Sequence, residues 1–321
     1  MRAHKLLVVL GLAFAAAAGA QEYPNKPIRM VTPWPPGGGT DIVTRLVAAK
    51  LTEAWGQQVM VENRSGATGI IGTDLVAKSA PDGYTLILGT NATHVIAVSL
   101  YSKMPYDQLK DLTPITRVSA VPHVISVHPS VKAQSIAELI ALAKQNPGRI
   151  SFGSAGNGST PHLAGELFKT LAGVDLLHVP YKGTGQSVQD TVAGVVQVSF
   201  DTMPSVINYI HAGRLRALAI AGPKQLAALP NVPTIAEAGV PGAEGMTWYG
   251  LFGPAGLPAP IVNKLFSEIA RIVQLPDVKS RLEILGAQET TSASPEEFAA
   301  MVKSDVAKYA KVVKAAGLHM D

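Results

Sequence analysis

Two glycine-rich turns, far apart in the chain, each follow an apolar run and precede a helical pattern. The first covers residues 35–41, with the sequence Pro-Pro-Gly-Gly-Gly-Thr-Asp, and the second covers residues 153–162, with the sequence Gly-Ser-Ala-Gly-Asn-Gly-Ser-Thr-Pro-His. A strand, a glycine turn and a helix N-terminus together leave backbone N–H groups free, and the helix dipole favours negative charge there. The two turns therefore predict two anion sites, and their separation in the sequence suggests one ligand held between two lobes.

Short apolar strands alternate with helical patterns along most of the chain. Residues 28–32 predict a strand, and apolar residues recur at helical spacing from Ile42 to Trp55 after the first turn. This alternation indicates an α/β fold with parallel sheets, in which ligands lie at the carboxyl ends of strands. Both glycine turns occupy such positions. The other predicted strands cover residues 59–62, 84–88, 124–127, 150–152, 176–179, 196–200 and 215–220.

Three segments have the residue spacing of helix caps. Residues 135–138 and 294–297 each begin with serine and end with glutamate, which is the pattern of a capping box. Threonine and glutamate at the ends of residues 234–237 predict the cap of one short helix. The last capping box precedes a long apolar stripe, which predicts a packing helix at the end of the chain.

The first 20 residues are predicted to be a cleaved signal peptide. A basic start at residues 2–5 precedes an unbroken apolar run over residues 6–18, and small residues follow at 18–20. The run is shorter than a bilayer-spanning helix requires, so we prefer a signal peptide to a membrane anchor. The chain has no cysteine, which argues against a lipid-modified N-terminus. We therefore expect a soluble protein in the periplasm, cleaved near Ala20.

Several functional classes lack their sequence motifs in this chain. There is no H-E-x-x-H, C-x-x-C, G-x-x-x-x-G-K-[ST] or G-x-S-x-G motif, which argues against a zinc protease, a P-loop enzyme and an α/β-hydrolase. Basic residues are scattered and the formal net charge is +4, so nucleic-acid binding is not expected. The histidines show no zinc spacing, and we interpret His123 and His128 as structural and expect no metal site.

Residues beside the first turn have both a structural and a functional interpretation. Asp41 lies in the first turn of a predicted helix, where the dipole favours a carboxylate, and Arg45 is placed to pair with it four residues later. Arg45 could instead reach an anionic ligand, but we favour the structural pairing. Trp34 would shield the cleft, stack on a planar ligand or pack the turn.

Residues that follow two later strands are also open to two interpretations. Asp201 ends a predicted strand, where its carboxylate could accept a ligand donor, orient water or cap the helix that follows. Tyr181 offers a hydroxyl group just after another strand. Lys182 offers either charge to a ligand or only solubility.

Seven stretches of the sequence carry the motifs of one known family in the same order. They begin with Tyr-Pro-Asn-Lys-Pro-Ile-Arg at residues 23–29 and end with Trp-Tyr-Gly at residues 248–250. The other stretches are residues 36–41, 61–67, 81–86, 178–183 and 230–239. Together they resemble the Bug or TctC-type periplasmic solute receptors of tripartite tricarboxylate transport systems. The resemblance is specific for the family but not for a ligand.

The resemblance implies a periplasmic binding protein with two α/β lobes that are joined by crossing strands and close on a ligand like a flytrap. It implies a small carboxylate held by backbone N–H groups and waters, membrane transporter subunits as partners, and neither catalysis nor a cofactor. The lobes are expected to cover residues 21–122 with 250–321, and residues 123–249. Residues 184–187, Thr-Gly-Gln-Ser, depart from the family pattern of a small residue followed by proline and alanine.

The resemblance also implies which residues lie at the cleft. One group of residues would lie at the mouth of the first lobe, and a second group would lie opposite it in the second lobe, with the ligand between them. The implied ligand-binding residues are Gly38, Gly39, Asp41, Gly69 and Asn91 on one side, and Ser154, Ala155, Gly156, Ser159, His162, Tyr181 and Asp201 on the other. Trp34 is added to the predicted ligand-binding residues because of its place beside the first glycine turn.

The hypothesis that joins these observations is an exported receptor for a small carboxylate. The ligand would be a dicarboxylate, a tricarboxylate, an aromatic carboxylate or an acidic amino acid. Two alternatives stay open at this point. One is a secreted serine hydrolase that uses Ser154 or Ser159 with His162, and the other is a ligand-sensing module that acts through a signalling partner.

Overall fold

The structure of the chain is a computed structural model that describes residues 23–288, 291–315 and 319, so the predicted signal peptide lies outside it. The strands are β1 (Ile28–Thr32), β2 (Val59–Asn63), β3 (Thr85–Thr90), β4 (Leu112–Val127), β5 (Ser151–Ser154), β6 (Leu177–Pro180), β7 (Val198–Ser199), β8 (Arg216–Ala221) and β9 (Met246–Pro254). The α-helices are α1 (Gly39–Trp55), α2 (Ile70–Ala77), α3 (Ala97–Leu100), α4 (Ile136–Gln145), α5 (Thr160–Ala172), α6 (Thr184–Val192), α7 (Met203–His211), α8 (Ala259–Ile272), α9 (Pro276–Ile284) and α10 (Pro295–Ala315).

The strands form two sheets, and each sheet is the base of one lobe. In the first sheet the order is β2-β1-β3-β9-β4. Strand β1 is parallel to β2 and β3, and β9 is antiparallel to β3 and β4. In the second, the end of β4 pairs antiparallel with β7 and β8, while β5 lies parallel between β6 and β7. The predicted two-lobed α/β fold is confirmed. The sheets are mixed rather than parallel because β4 and β9 cross between the lobes in opposite directions.

Strand β4 passes from one lobe into the other without a break. Its residues 112–122 pair with β9, and its residues 123–127 pair with β8. The sequence predicted only the second part as a strand, since Pro114 and Pro122 interrupt the apolar pattern of the first part. The lobe boundaries remain a prediction, and β9 begins where Met246 pairs with Pro122 of β4.

Each lobe has its own hydrophobic core. In the first lobe, α1 and α8 pack on one face of the sheet, where Leu51, Leu88 and Leu265 are fully buried. In the second lobe, Phe152 on β5 and Phe168 on α5 belong to a separate cluster of buried residues. The predicted C-terminal helix is present as α10, and it covers the opposite face of the first sheet.

All three predicted caps make their hydrogen bonds, but only two of them begin a helix. The Glu138 N–H donates to Ser135 Oγ at 3.2 Å, and the Glu297 N–H donates to Ser294 Oγ at 3.2 Å. Residues 234–237 make the reciprocal cap hydrogen bonds as well, but they form a turn and not the short helix that was predicted. The turn does not continue into a helix because Gly239 has a positive φ, which ends helical backbone geometry.

Replacing Gly250 with alanine is expected to destabilise the first lobe. A Cβ at this position of β9 would lie 2.3 Å from Phe298 Cζ on α10 and 3.1 Å from Phe252 Cε2. Overpacking of this kind costs about 1–3 kcal/mol, so thermal unfolding should begin at a lower temperature. The Phe298→Leu change, made in the same chain, should recover part of the loss. An unchanged melting temperature of Gly250→Ala would contradict this packing.

Candidate functional site

A narrow cavity lies where the two glycine turns meet. The turns connect β1 to α1 and β5 to α5, so strand ends from both sheets and two helix N-termini face the same space. The cavity has a volume of about 30 Å³. Its walls are formed by Trp34, Pro35, Gly38, Gly39, Thr40, Thr90, Ala92, Ala155, Ser159, Thr160, Pro161, Thr184, Thr202, Thr247 and Tyr249.

The cavity wall is rich in hydroxyl groups, and the part of the chain that the structure describes places no charged side chain in it. Several hydroxyls bond to each other across the wall. The Thr160 and Thr247 Oγ1 atoms are 2.7 Å apart, and the Tyr249 hydroxyl donates to Thr202 Oγ1 at 3.5 Å. Such a surface can hold an anion by hydrogen bonds without the charge of a lysine or an arginine.

Two backbone donors at the helix N-termini have no acceptor among the described residues. They are the N–H groups of Thr40 in α1 and Thr160 in α5, and both residues line the cavity. The Gly39 N–H is already bound, because it donates to Ser205 Oγ at 3.0 Å. Each helix end also contributes a dipole effect of about 0.3–1 kcal/mol toward a nearby anion. The two ends therefore act on the same space from opposite lobes.

A buried hydroxyl beside these donors also lacks a partner. Thr90 Oγ1 belongs to a residue that is only 2% exposed, and no described atom accepts or donates a hydrogen bond to it. A buried hydroxyl without a hydrogen-bond partner lowers the folding stability by about 1–3 kcal/mol. Because Thr90 lines the cavity, a ligand or an ordered water in that space would remove the cost.

The two lobes touch at the glycine turns. A Cβ added to Gly38 would lie 3.4 Å from Thr184 Cβ, and one added to Gly185 would lie 3.0 Å from the Pro36 carbonyl oxygen. Backbone from one lobe thus packs directly on backbone from the other. The space that remains has room for about two water molecules. A carboxylate with more than a few atoms therefore requires the lobes to move apart or the wall to rearrange.

The structure brings five of the predicted site residues to the cavity. They lie on both sides of it and include the N-cap residue of α5, which accepts a backbone N–H through its side chain. Gly156 and Tyr181 lie outside the cavity, at a neighbouring groove that also includes Trp34 and Ala155. The residues at the cavity are Trp34, Gly38, Gly39, Ala155 and Ser159.

Asp41 does not line the cavity and instead braces the first glycine turn. Its carboxylate accepts hydrogen bonds from the Gly37 N–H at 3.1 Å, from Asn63 Nδ2 at 2.9 Å and from Arg45 Nε at 3.0 Å. Burial raises the pKa of Asp41, but these hydrogen bonds outweigh it and hold the pKa below its ordinary value. The favoured structural pairing of Asp41 with Arg45 is confirmed.

Gly69 and Asn91 also lie behind the cavity wall. A Cβ on Gly69, which has a φ of 88°, would collide with Thr93. Asn91 Nδ2 donates to the Met246 carbonyl oxygen at 2.9 Å, so this side chain ties the end of β3 to the start of β9. Both residues shape the segments that carry Thr90 and its neighbours.

Ser154 and His162 belong to a histidine stack behind the second glycine turn. Ser154 Oγ lies 2.7 Å from His178 Nε2 and accepts the Gly156 N–H at 3.1 Å. The His162 ring stacks on the His178 ring with centroids 4.2 Å apart, and its Nδ1 accepts the Gly158 N–H. Burial lowers the pKa of both histidines, that of His178 to about 4, so both rings are neutral near neutral pH.

The hydrogen bonds do not form the serine–histidine pair that the hydrolase alternative requires. Ser159 Oγ accepts the backbone N–H of His162 at 3.3 Å, and Ser154 pairs with His178 instead of His162. Ser154 is fully buried, so its hydroxyl has no access to a substrate. Within the described residues, no group of three or more histidine, aspartate or glutamate side chains could hold a metal ion.

Asp201 is fully buried and directly precedes Thr202 of the cavity wall. Its Oδ2 accepts the Ser199 hydroxyl at 3.0 Å, and Oδ1 has no partner among the described atoms. The carboxylate makes no described hydrogen bond to the N-terminus of α7, so the interpretation of Asp201 as a helix cap is wrong. Its side chain turns back to Ser199, two residues before it in the chain.

None of the six threonines in the cavity wall was among the predicted ligand-binding residues. Thr90 ends β3, Thr160 and Thr184 begin α5 and α6, and Thr202 precedes α7. A usable signal was present, because each lies at a strand end or a helix start on the side where α/β proteins bind ligands. Thr247 had no such signal, since it lies inside β9 and reaches the cavity only through strand pairing.

The sequence matches one family model over residues 43–318, the tripartite tricarboxylate transporter family receptor. Among curated relatives, the protein BugT of Bordetella pertussis is 38% identical over 326 residues, which cover 99% of each chain.

Three solved structures are similar to this chain over almost their whole length. An R. palustris protein with adipate has a TM-score of 0.89 and 38% identity, covering 93% of this chain and 99% of that one. The periplasmic binding protein BugD has a TM-score of 0.87 and 35% identity, covering 93% and 100%. MatC from Rhodopseudomonas palustris with bound malate has a TM-score of 0.83 and 32% identity, covering 91% and 100%.

Replacing Asp201 with asparagine is expected to remove a pH-dependent loss of stability. Burial raises the pKa of Asp201 from 3.8 to about 7. The folded state therefore binds the proton more tightly than the unfolded chain between about pH 4 and pH 7, and the free energy of unfolding falls as the pH rises through this window. The Asp201→Asn variant keeps an acceptor for Ser199 and should lack this decrease.

Urea titrations of both proteins at about pH 5 and about pH 8 measure the difference. The unfolding free energy of the natural protein should fall between the two conditions by on the order of 1–4 kcal/mol more than that of the variant. An equal change in both proteins would contradict a raised pKa at Asp201.

Proposed function

Because the chain belongs to the tripartite tricarboxylate transporter receptor family, we propose that it is a periplasmic solute receptor that captures a small carboxylate between its lobes. It then delivers the ligand to a membrane transporter of the tripartite tricarboxylate type. The observation that carries the proposal is the pair of helix N-termini, one from each lobe, that meet at one cavity, where Thr40 and Thr160 line the wall and their N–H groups have no acceptor among the described residues.

The uncharged wall favours a carboxylate over a phosphate ester. Two backbone N–H groups and the free hydroxyl of Thr90 give three donors, and one carboxylate group has enough lone pairs to accept all three. A multiply charged phosphate is usually bound with the help of lysine or arginine, and none lines this cavity in the described chain. The bound adipate and malate of two similar solved structures support the same ligand class.

We assign ligand contact to the predicted residues that line the cavity and to the hydroxyls that accompany them. Trp34 and Ala155 would bound the ligand at the side where the cavity widens. Asp41, Ser154 and His162 would not contact the ligand. They would instead hold the two glycine turns in place through hydrogen bonds to backbone N–H groups. In this assignment the ligand is bound and released without chemical change, and no residue acts as a nucleophile.

Capture would involve movement of the lobes about the β4 and β9 crossings. The lobes touch at the glycine turns and leave little free volume, so an open form must admit the ligand. The closed form would be favoured because only there do both helix N-termini reach one carboxylate. The lobes in this proposal keep the predicted ranges, residues 21–122 with 250–321 and residues 123–249.

We also propose that the first 20 residues direct the chain to the periplasm and are removed there. The structure of BugD, a periplasmic binding protein, supports this location. Among the residues that the structure describes, no helix is both long enough and apolar enough to span a bilayer.

Calorimetric titration with a panel of carboxylates tests the proposal. The panel should contain dicarboxylates, tricarboxylates, aromatic carboxylates and acidic amino acids, each with its neutral amide as a matched control. At least one carboxylate is expected to bind, and its amide should bind at least about tenfold more weakly, because the amide lacks the negative charge that helix N-termini favour. No binding by any member to a folded protein would count against the proposal.

Uptake measurements separate transport from signalling. A strain that lacks the gene should lose uptake of the identified ligand, and the restored gene should return it. Normal uptake without the gene would instead favour the ligand-sensing alternative.

The Gly39→Ala variant tests the position of the ligand. A Cβ there would lie 2.5 Å from Tyr249 Oη and 2.7 Å from Thr202 Oγ1, inside the cavity wall. The affinity for the identified carboxylate should fall at least about tenfold, because the methyl group displaces two hydroxyls. The neighbouring Gly38→Ala is the matched control, since its Cβ would make a 3.4 Å contact with Thr184 and should cost less. Equal affinity of Gly39→Ala and the natural protein would contradict this placement.

A further inference from the structure

A chain of hydrogen-bonding side chains leads from the crossing strands to the cavity. His123 is the residue at which β4 begins to pair with the second sheet, and its Nε2 atom lies 3.0 Å from Thr247 Oγ1 on β9. Thr247 Oγ1 in turn lies 2.7 Å from Thr160 Oγ1 at the start of α5. The two threonines line the cavity and His123 does not, so the histidine lies one step behind the cavity wall.

All the members of this chain are buried. His123 is 2% exposed, Thr247 is 3% exposed and Thr160 is 8% exposed. Buried hydroxyl groups direct their protons to other groups of the site rather than to bulk water. Each hydroxyl has only one proton, so the protons of the two threonines point either toward the cavity or back toward His123. The state of the histidine ring therefore sets the direction of the whole chain.

The surroundings of His123 favour a neutral ring with its proton on Nε2. Burial lowers the pKa of His123 to about 4, so the ring has a single N–H group near neutral pH. Nδ1 has no hydrogen-bond partner among the described residues, and a Cβ built on Gly245 would lie only 2.8 Å from it. A proton on Nδ1 would be a buried donor without an acceptor, which folded proteins avoid more strictly than an unpaired acceptor. The proton on Nε2 is instead donated to Thr247 Oγ1.

We infer that His123 is a positioning residue of the carboxylate site and holds the Thr160 hydroxyl as a donor toward the cavity. Because the ring N–H occupies a lone pair of Thr247, the Thr247 hydroxyl donates to Thr160 Oγ1. The proton of Thr160 is then left for the ligand. This inference rests on the proposed function, which places a carboxylate beside the N-terminus of α5. A carboxylate only accepts hydrogen bonds, so a hydroxyl held as a donor favours it over an amide.

The tautomer of His123 can be measured in the ligand-free protein. Long-range proton–nitrogen correlation spectra distinguish the protonated ring nitrogen from the unprotonated one, and the signals of His123 are those that the His123→Leu variant lacks. Near neutral pH, the proton is expected on Nε2. A proton on Nδ1 would reverse the chain and overturn the inference, whatever ligand the protein binds.

Calorimetry with the His123→Leu variant tests the effect on binding. The probe is the tightest-binding carboxylate of the panel, in which succinate, citrate, benzoate and glutamate represent the four classes. Leucine removes the donor, so the affinity should fall at least about fivefold, and the preference for the carboxylate over its amide should decrease by a similar factor. His123→Gln keeps an N–H donor and should retain most of the affinity and of the preference.

The melting temperature separates positioning from packing. His123→Leu loses one hydrogen bond but also removes the unpaired Nδ1 atom, so its melting temperature should not fall together with the affinity. His128→Leu is the matched control, because this histidine directly follows β4 and does not line the cavity. It should bind the probe as the natural protein does.

A double-mutant cycle tests whether the effect passes through the hydroxyl groups. Thr247→Val interrupts the chain, and Thr247→Ser keeps the hydroxyl as its control. When His123→Leu is added to Thr247→Val, the affinity should change by less than about twofold, because the chain is already interrupted. Independent, additive losses from the two changes would contradict a shared chain.

The outcomes distinguish this inference from the proposed function. If His123→Leu binds the probe with the affinity and the amide preference of the natural protein, the role of His123 is wrong and the carboxylate receptor stands. Parallel losses of affinity and melting temperature in His123→Leu and His123→Gln would make His123 a packing residue and also overturn the inference. If no member of the panel binds to the folded natural protein, the proposed function fails, and this inference fails with it.

Discussion

The pairing of β4 with β9 is the constraint on which the rest of the structure depends. β4 is one strand that belongs to both sheets, and β9 returns beside its first part in the opposite direction. A strand that bends sharply loses its ladder hydrogen bonds, so this pair sets how the two sheets lie relative to each other. The ends of β1 and β5 consequently face one another, and each carries its glycine turn and helix N-terminus to the same cavity.

The cavity that results can bind a carboxylate group, but it cannot distinguish the molecules that carry one. Its walls offer backbone N–H groups and hydroxyls, while the charged or titratable groups nearby are neutralised: Asp41 by Arg45 and its neighbours, and His162 and His178 by loss of the proton. Donors of this kind bind a carboxylate whatever molecule carries it. Discrimination among carboxylates must then come from residues outside the cavity.

Much of the fold was predictable because its elements depend on local sequence. The strands around residues 28–32 and 59–62, the turns before α1 and α5, and the caps at Ser135 and Ser294 all follow from neighbouring residues. The elements that the sequence did not predict depend on pairing between strands that are far apart in the chain. The first part of β4 contains two prolines and lacks an apolar alternation, and it is a strand only because β9 lies beside it.

The sequence by itself determined the strand–turn–helix units, the glycines that let the lobes touch and, through its motifs, the family. Only the tertiary structure decided which side chains line the cavity. It assigned Asp41, Asn91 and Asp201 to supporting positions and brought Thr90, Thr202 and Thr247 into the wall. The reason is physical: strand and helix signals come from residues a few positions apart, whereas the cavity is set by the register of strands more than a hundred residues apart.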